Sequence, residues 1–173
     1  MVSSKRVYWD SCTYLNYLKG NHPRHPHMLA LLKDWEVGNV VLVTSALTIA
    51  EVLWVRCEPG QVRQTLPRSR EKDILSLFDP KLPAELVLVE LNRETAEAAR
   101  DFIWKRGIKP KDAVHLSSAI EGKCDLFHTS DINLLKLTEQ VGGNPILKIV
   151  EPTWESQQSM TEILSQVERK QPS

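Results

Sequence analysis

Leu126-Phe127-His128-Thr129 is too short for a helix and is bracketed on both sides by helical periodicity, the pattern of an inner strand in a parallel sheet. Upstream, Pro110 suits a first helical turn, where a missing N–H is harmless. Ala113, Leu116, Ala119 and Ile120 then recur at the helical period until Gly122 closes the element. Acids mark both junctions. Asp112 falls in the first turn of that helix, and Asp131 falls just past the carboxyl end of the strand, where α/β sheets bind their ligands. Each acid alone has an ordinary explanation in the helix dipole or an N-cap. Their meaning depends on whether other segments bring acids to the same edge.

Other segments do. Lys5 to Trp9 reads as a strand that stops at Asp10, and Thr13 to Leu18 as an apolar-faced helix that Gly20 ends. Met28 to Glu36 is a second helix, and Val40 to Thr44 a buried strand by its β-branched run. Ser45 caps the following segment, Ala46 to Val55, which is apolar nearly all round and so reads as a buried helix with Glu51 in its middle. A glutamate there must be paired, protonated or bound to a cation. Leu86 to Leu91 returns to strand character, Asn92 caps a helix running through Lys105, Ile132 to Leu137 is a short helix, and Ile146 to Val150 is a last strand.

Strands alternating with helices in this order predict an α/β domain with a mostly parallel central sheet flanked by helices, over residues 5–150. Residues 57–83, punctuated by prolines and carrying Arg63, Arg68, Arg70 and Lys72, read as a flexible basic insertion, although Ile74, Leu75, Leu77 and Phe78 suit a short helix. Residues 151–173 form a polar tail with Met160, Ile163, Leu164 and Val167 at helical spacing. His22, His25 and His27 share a loop with two prolines. That loop is either a solvated connection or a transition-metal site whose ligand geometry the sequence does not define.

Charge and cysteine usage narrow the chemistry. Lys plus Arg number 22 and so do Asp plus Glu, so no global basic field drives non-specific nucleic-acid binding. Cys12, Cys57 and Cys124 form no CxxC pair, which argues against a thiolate zinc site or a disulfide framework. They read as small core residues in a reduced compartment. No apolar run approaches a membrane span and the first ten residues lack a signal-peptide block, so the expectation is a soluble cytoplasmic protein with no membrane association.

Asp10, Glu51, Asp112 and Asp131 each follow a strand and can converge at one sheet edge. Two unit charges about 4 Å apart cost about 4 kcal/mol at an effective dielectric of about 20, so converging carboxylates take up protons unless a cation neutralises them. An all-oxygen donor set favours Mg²⁺ or Mn²⁺, which also bind substrate phosphates. Such an ion activates water for attack on a phosphodiester. Ser11, Thr129 and Ser130 are close enough in sequence to position that water, or simply to cap helices.

VYWDSCTYL, TSALTIAEVL, KPKDAVHLSSAIEGKCDLF and HTSD resemble the successive motifs of PIN-domain ribonucleases, especially the VapC-type toxins of toxin–antitoxin systems. The resemblance implies a three-layer PIN-like fold and a Mg²⁺- or Mn²⁺-dependent endoribonuclease. Asp10, Glu51, Asp112 and Asp131 match that family's catalytic, metal-binding acids, and Thr129 and Ser130 match the polar residues before its last acid. It further implies an RNA substrate, with Arg68, Arg70 and Lys111 as candidate contacts, a small antitoxin partner and a homodimer. Ser11-Cys12 departs from the Thr/Ser-Asn-like pair of many relatives. A non-catalytic PIN-like module that binds RNA or protein is the competing reading; a phosphatase lacks a clear nucleophile motif.

Overall fold

The computed structural model describes residues 4–55, 64–79 and 84–155. Its central sheet has five strands in the order β5-β2-β1-β6-β7: β1 is Lys5–Trp9, β2 Val40–Ser45, β5 Leu86–Val89, β6 Leu126–His128 and β7 Lys148–Val150. Every neighbouring pair in it is parallel. The helices are α1 (Ser11–Lys19), α2 (His25–Glu36), α3 (Ala46–Glu51), α4 (Glu71–Ser76), α5 (Arg93–Arg106), α6 (Pro110–Glu121) and α7 (Ile132–Leu135).

Side-chain alternation in the strands builds two cores, one on each face. In β1, Val7 and Trp9 join Leu42, Tyr14, Met28, Leu31, Trp35 and Trp154 beneath α1 and α2. Tyr8 faces the other way, with Val43, Phe127, Ile149 and the Leu116 and Ala119 face of α6. The result is a three-layer α/β domain. Gly122 does not end α6 through a left-handed turn. A Cβ there would meet Val43 Cγ1 at 2.9 Å and the Ser118 carbonyl oxygen at 3.1 Å, so close approach to the sheet demands glycine.

The strand order fixes where a ligand crevice forms. From β1 the chain builds outward through β2 to β5, then returns to the other side of β1 with β6 and continues to β7. The order therefore reverses between β1 and β6, and α/β sheets bind ligands at the carboxyl ends of strands at such a reversal. Trp9 pairs with His128, so Asp10 leaves the sheet abreast of Thr129.

Several expectations need correction. The third helix ends at Glu51 instead of continuing to Val55; Trp54–Val55 (β3) pairs antiparallel with Gln64–Thr65 (β4), as suits a segment rich in β-branched residues. Glu51 is thus the last residue of a helix and not its middle. The second helix begins at His25, because Pro26 is accommodated in the first turn. This places His25 in a stack against Tyr17 at 5.6 Å and His27 beside the Trp154 backbone, so neither belongs to a solvated loop. Within the basic segment, Ile74 and Phe78 lie four residues apart and are buried, Phe78 packing on Tyr14 at 4.9 Å. That part is core and not a solvated insertion. Cys124 is buried as expected, whereas Cys12 is exposed at a helix start. The expectations for residues 57–63, 80–83 and the tail beyond Glu155 lie outside the described residues. No helix among the described residues is long and apolar enough to cross a membrane.

Candidate functional site

Asp10, Glu51, Asp112 and Asp131 line one cleft of about 700 Å³, together with Ser11, Cys12, Lys109, Lys111 and His115. Local structure delivers each acid. Asp10 is the N-cap of α1, its Oδ1 accepting from the Thr13 backbone N–H at 2.8 Å. Asp131 caps α7, its Oδ1 accepting from Asn133 N–H at 2.7 Å. Asp112 stands in the first turn of α6 and Glu51 at the end of α3. The capping role and the cleft position hold at once for both aspartates, since a cap engages one carboxylate oxygen.

Thr129, wholly buried, joins two of these acids. Its hydroxyl oxygen accepts from Asp131 N–H at 3.0 Å, and its side chain favours the ionised form of Asp10. Ser130 instead accepts from Asn16 Nδ2 at 3.0 Å, and Ser11 adds a smaller influence favouring ionised Glu51. A second hollow of about 450 Å³ shares Cys12, Leu15 and Asp131 with the cleft and continues past Asn16, Lys19 and Ser130. Arg68 and Arg70 are exposed and line neither hollow.

The charges divide unequally. Burial raises the Asp10 carboxyl, against the opposing influence of His115 and the Thr129 and Thr13 bonds. Asp112 is raised by burial and by the like charges of Asp131 and Asp10, with His115 and Lys109 offsetting in part. The Cys12 thiol is pushed up to about 12, first by the atoms packed around it and then by the charges of Asp10, Asp131, Asp112 and Glu51. The fields of all four acids therefore overlap at a single thiol.

Glu51 behaves differently. Partial burial works upward, but hydrogen bonds from His115 and Lys111, the His115 charge and the Ser11 bond outweigh it and hold the carboxyl at about 2. Lys111 Nζ lies 2.8 Å from Oε1 and His115 Nε2 lies 2.7 Å from Oε2. Lys111, expected at the RNA, is thus engaged inside the cleft. Among the described residues no three His, Cys, Asp or Glu side chains form a ready-made ion site. The hard-oxygen donor set and the unneutralised repulsion around Asp112 nonetheless fit a divalent cation by chemistry. His115 was not among the expected site residues. Its position three residues after Asp112, on the same helical face, was the available signal, and it was masked because that face reads as apolar core.

A family model described as PIN domain matches residues 7–140. Among solved structures, the Mycobacterium tuberculosis VapC20 toxin, described as cleaving the sarcin-ricin loop, is similar at 11% identity and a TM-score of 0.49, covering 72% of this chain and 89% of that one. A toxin–antitoxin complex from Klebsiella pneumoniae is similar at 15% identity and a TM-score of 0.49, covering 86% and 99%. No curated protein matches the sequence significantly.

Proposed function

The chain belongs to the PIN-domain family, and from that membership we propose that it is a metal-dependent endoribonuclease hydrolysing RNA phosphodiester bonds. The observation that carries this reading is the meeting of Asp10, Glu51, Asp112 and Asp131 in one cleft at the reversal point of the sheet. Mg²⁺ or Mn²⁺ would be held by these four carboxylates. Such an ion supplies, when bound, a Lewis acid and a neutralising charge for phosphoryl oxygens.

The protein's own groups account for the rest. Asp112 is partly open to the cleft, and burial with the like charges of Asp131 and Asp10 raises its carboxyl, a repulsion that a bound cation would relieve. Thr129 holds the Asp10 and Asp131 turns in register, and Ser11 and Ser130 present hydroxyls at the cleft and at the adjoining hollow. The continuation of the cleft into that hollow offers room for an extended strand. Lys111, exposed along most of its length, can turn from Glu51 to a phosphate, while Arg68 and Arg70 would touch only RNA that extends beyond the cleft.

The motif order further supports the toxin of a type II toxin–antitoxin pair, acting as a cytoplasmic homodimer whose small antitoxin obstructs the acidic cleft. The test is incubation of purified wild type and Asp112→Asn with mixed RNA in Mn²⁺, Mg²⁺ or chelator. Fragments that require both metal and Asp112 support the nuclease. A second reading, a PIN-like module that binds RNA or protein without cutting, is favoured by one observation: Lys111 and His115 already engage both carboxylate oxygens of Glu51. RNA retained but never cut by folded wild type would select it.

A further inference from the structure

Glu51 is held from two sides of unequal depth. Lys111, at Oε1, has a side chain 67% exposed; His115, at Oε2, has one only 3% exposed. Behind His115, its Nδ1 lies 2.7 Å from the hydroxyl of Tyr8, which is wholly buried in β1 and stacks on Phe127 at 4.9 Å. A buried line of polar contacts therefore runs from the central strand through the imidazole to the cleft.

We infer that His115 is a positioning residue for Glu51, clamping Oε2 from inside so that Oε1 is the oxygen offered to a cation in the cleft. The inference rests on the nuclease reading above and adds to it how one of its acids is aimed.

The chemistry of the line leaves little freedom. Ionised Glu51 can only accept, so His115 Nε2 must carry a proton whatever the charge on the ring. In the neutral ring Nδ1 is then free to accept from the Tyr8 hydroxyl 2.7 Å away, and in the charged ring Nδ1–H donates to the Tyr8 oxygen instead. Flipping the imidazole would set ring carbons against both oxygens and lose both bonds. Fixing one carboxylate oxygen through a neighbour's N–H is how outer partners orient metal-binding side chains, and losing such a partner typically costs about 10- to 100-fold in metal affinity.

The experiment has a metal-free arm and a binding arm. In metal-free wild type, nitrogen NMR of His115 should show a proton on Nε2 whether the ring is neutral or charged; a proton on Nδ1 alone overturns the inference. Mn²⁺ affinity is then measured by electron paramagnetic resonance on wild type, His115→Phe and His115→Gln, each checked for a cooperative melt. His115→Phe should bind about 10- to 100-fold more weakly, with kcat reduced more than the RNA KM changes. His115→Gln, whose amide N–H can still reach Oε2, should recover most of the loss. Equal affinity in wild type and folded His115→Phe overturns the inference, as does equal loss in folded His115→Phe and His115→Gln. If His115→Phe does not fold, Tyr8→Phe serves: it keeps the ring stack and should let His115 populate both tautomers with weaker Mn²⁺ binding, and no change in either overturns the relay. Wild type that neither binds Mn²⁺ nor cuts RNA defeats the nuclease reading and this inference with it. Normal wild-type binding with indifferent variants defeats the inference alone.

Discussion

Lys111 Nζ stands 2.8 Å from Glu51 Oε1, so the protein sets one of its own cations against an acid of the cleft. An exposed ion pair of this kind is worth about 0.2–1 kcal/mol. A divalent cation competing for Oε1 must displace it. Lys111→Met is therefore expected to tighten Mn²⁺ binding by up to about five-fold. Lys109 lines the same cleft and has no bond to Glu51 among the described contacts, so Lys109→Met should tighten binding less. Equal gains from the two substitutions, measured by calorimetric titration, would reduce the contact to general electrostatics.

Asp112 carries a conflict between activity and stability. Its carboxyl is raised in the fold, so the neutral form is favoured there more than in the unfolded chain. Asp112→Asn should abolish cleavage and, in chelator, melt above wild type. A lower melting temperature for the variant would contradict the repulsion from Asp131 and Asp10.

The pH dependence follows with opposite signs for two acids. Because the Asp112 value is raised, its favourable contribution to metal-free stability is present at low pH and is lost as pH rises through the folded value. The advantage of Asp112→Asn should accordingly vanish in acid and grow toward neutral pH. Glu51, lowered from an ordinary 4.5 to about 2, contributes stability above the former that is lost as pH falls toward the latter. Glu51→Gln should therefore cost stability at neutral pH and little at the acid end. Thermal melts of the three proteins from about pH 2 to about pH 7 check both signs.

Cleavage should weaken on acidification at a higher pH than an ordinary carboxylate site, because raised Asp10 and Asp112 take up protons first. Rate profiles at saturating Mn²⁺ and at Mn²⁺ near its dissociation constant test this. The acid limb should move to lower pH as Mn²⁺ rises, and a limb indifferent to Mn²⁺ would sink the assignment.

Gly122→Ala puts a methyl 2.9 Å from Val43 Cγ1. Overpacking of this order costs about 1–3 kcal/mol, or a fall in melting temperature of roughly 2–10 °C for a domain of this size. Combined with Val43→Ala it should cost less than the sum of the two single changes, because the second opens the space that the first needs. Strict additivity in denaturant titrations would argue against the contact.

Much of the fold was legible in local pattern. The order of strands and helices, the caps at Asp10, Asn92 and Asp131, and the two-faced strands follow from periodicity and capping chemistry, which act over a few residues. Asp10, Asp112 and Asp131 were legible for the same reason, since each was read at an element boundary, whereas Glu51 stood out as a glutamate inside an apolar run. The extent of the third helix was misread because apolar residues without a stop signal look alike in a helix and in a short strand, and the pairing of Trp54–Val55 with Gln64–Thr65 decided it.

His115 was legible only as a position on a buried helical face, not as part of the site. The sequence by itself determined that position 115 lies on the inward face of a helix and that Asp112 opens that helix. Only the tertiary structure decided that this face meets both Tyr8, 107 residues earlier, and Glu51, 64 residues earlier. The physical reason is that periodicity specifies which face of an element is buried, whereas the order of strands in the sheet specifies what that face is buried against.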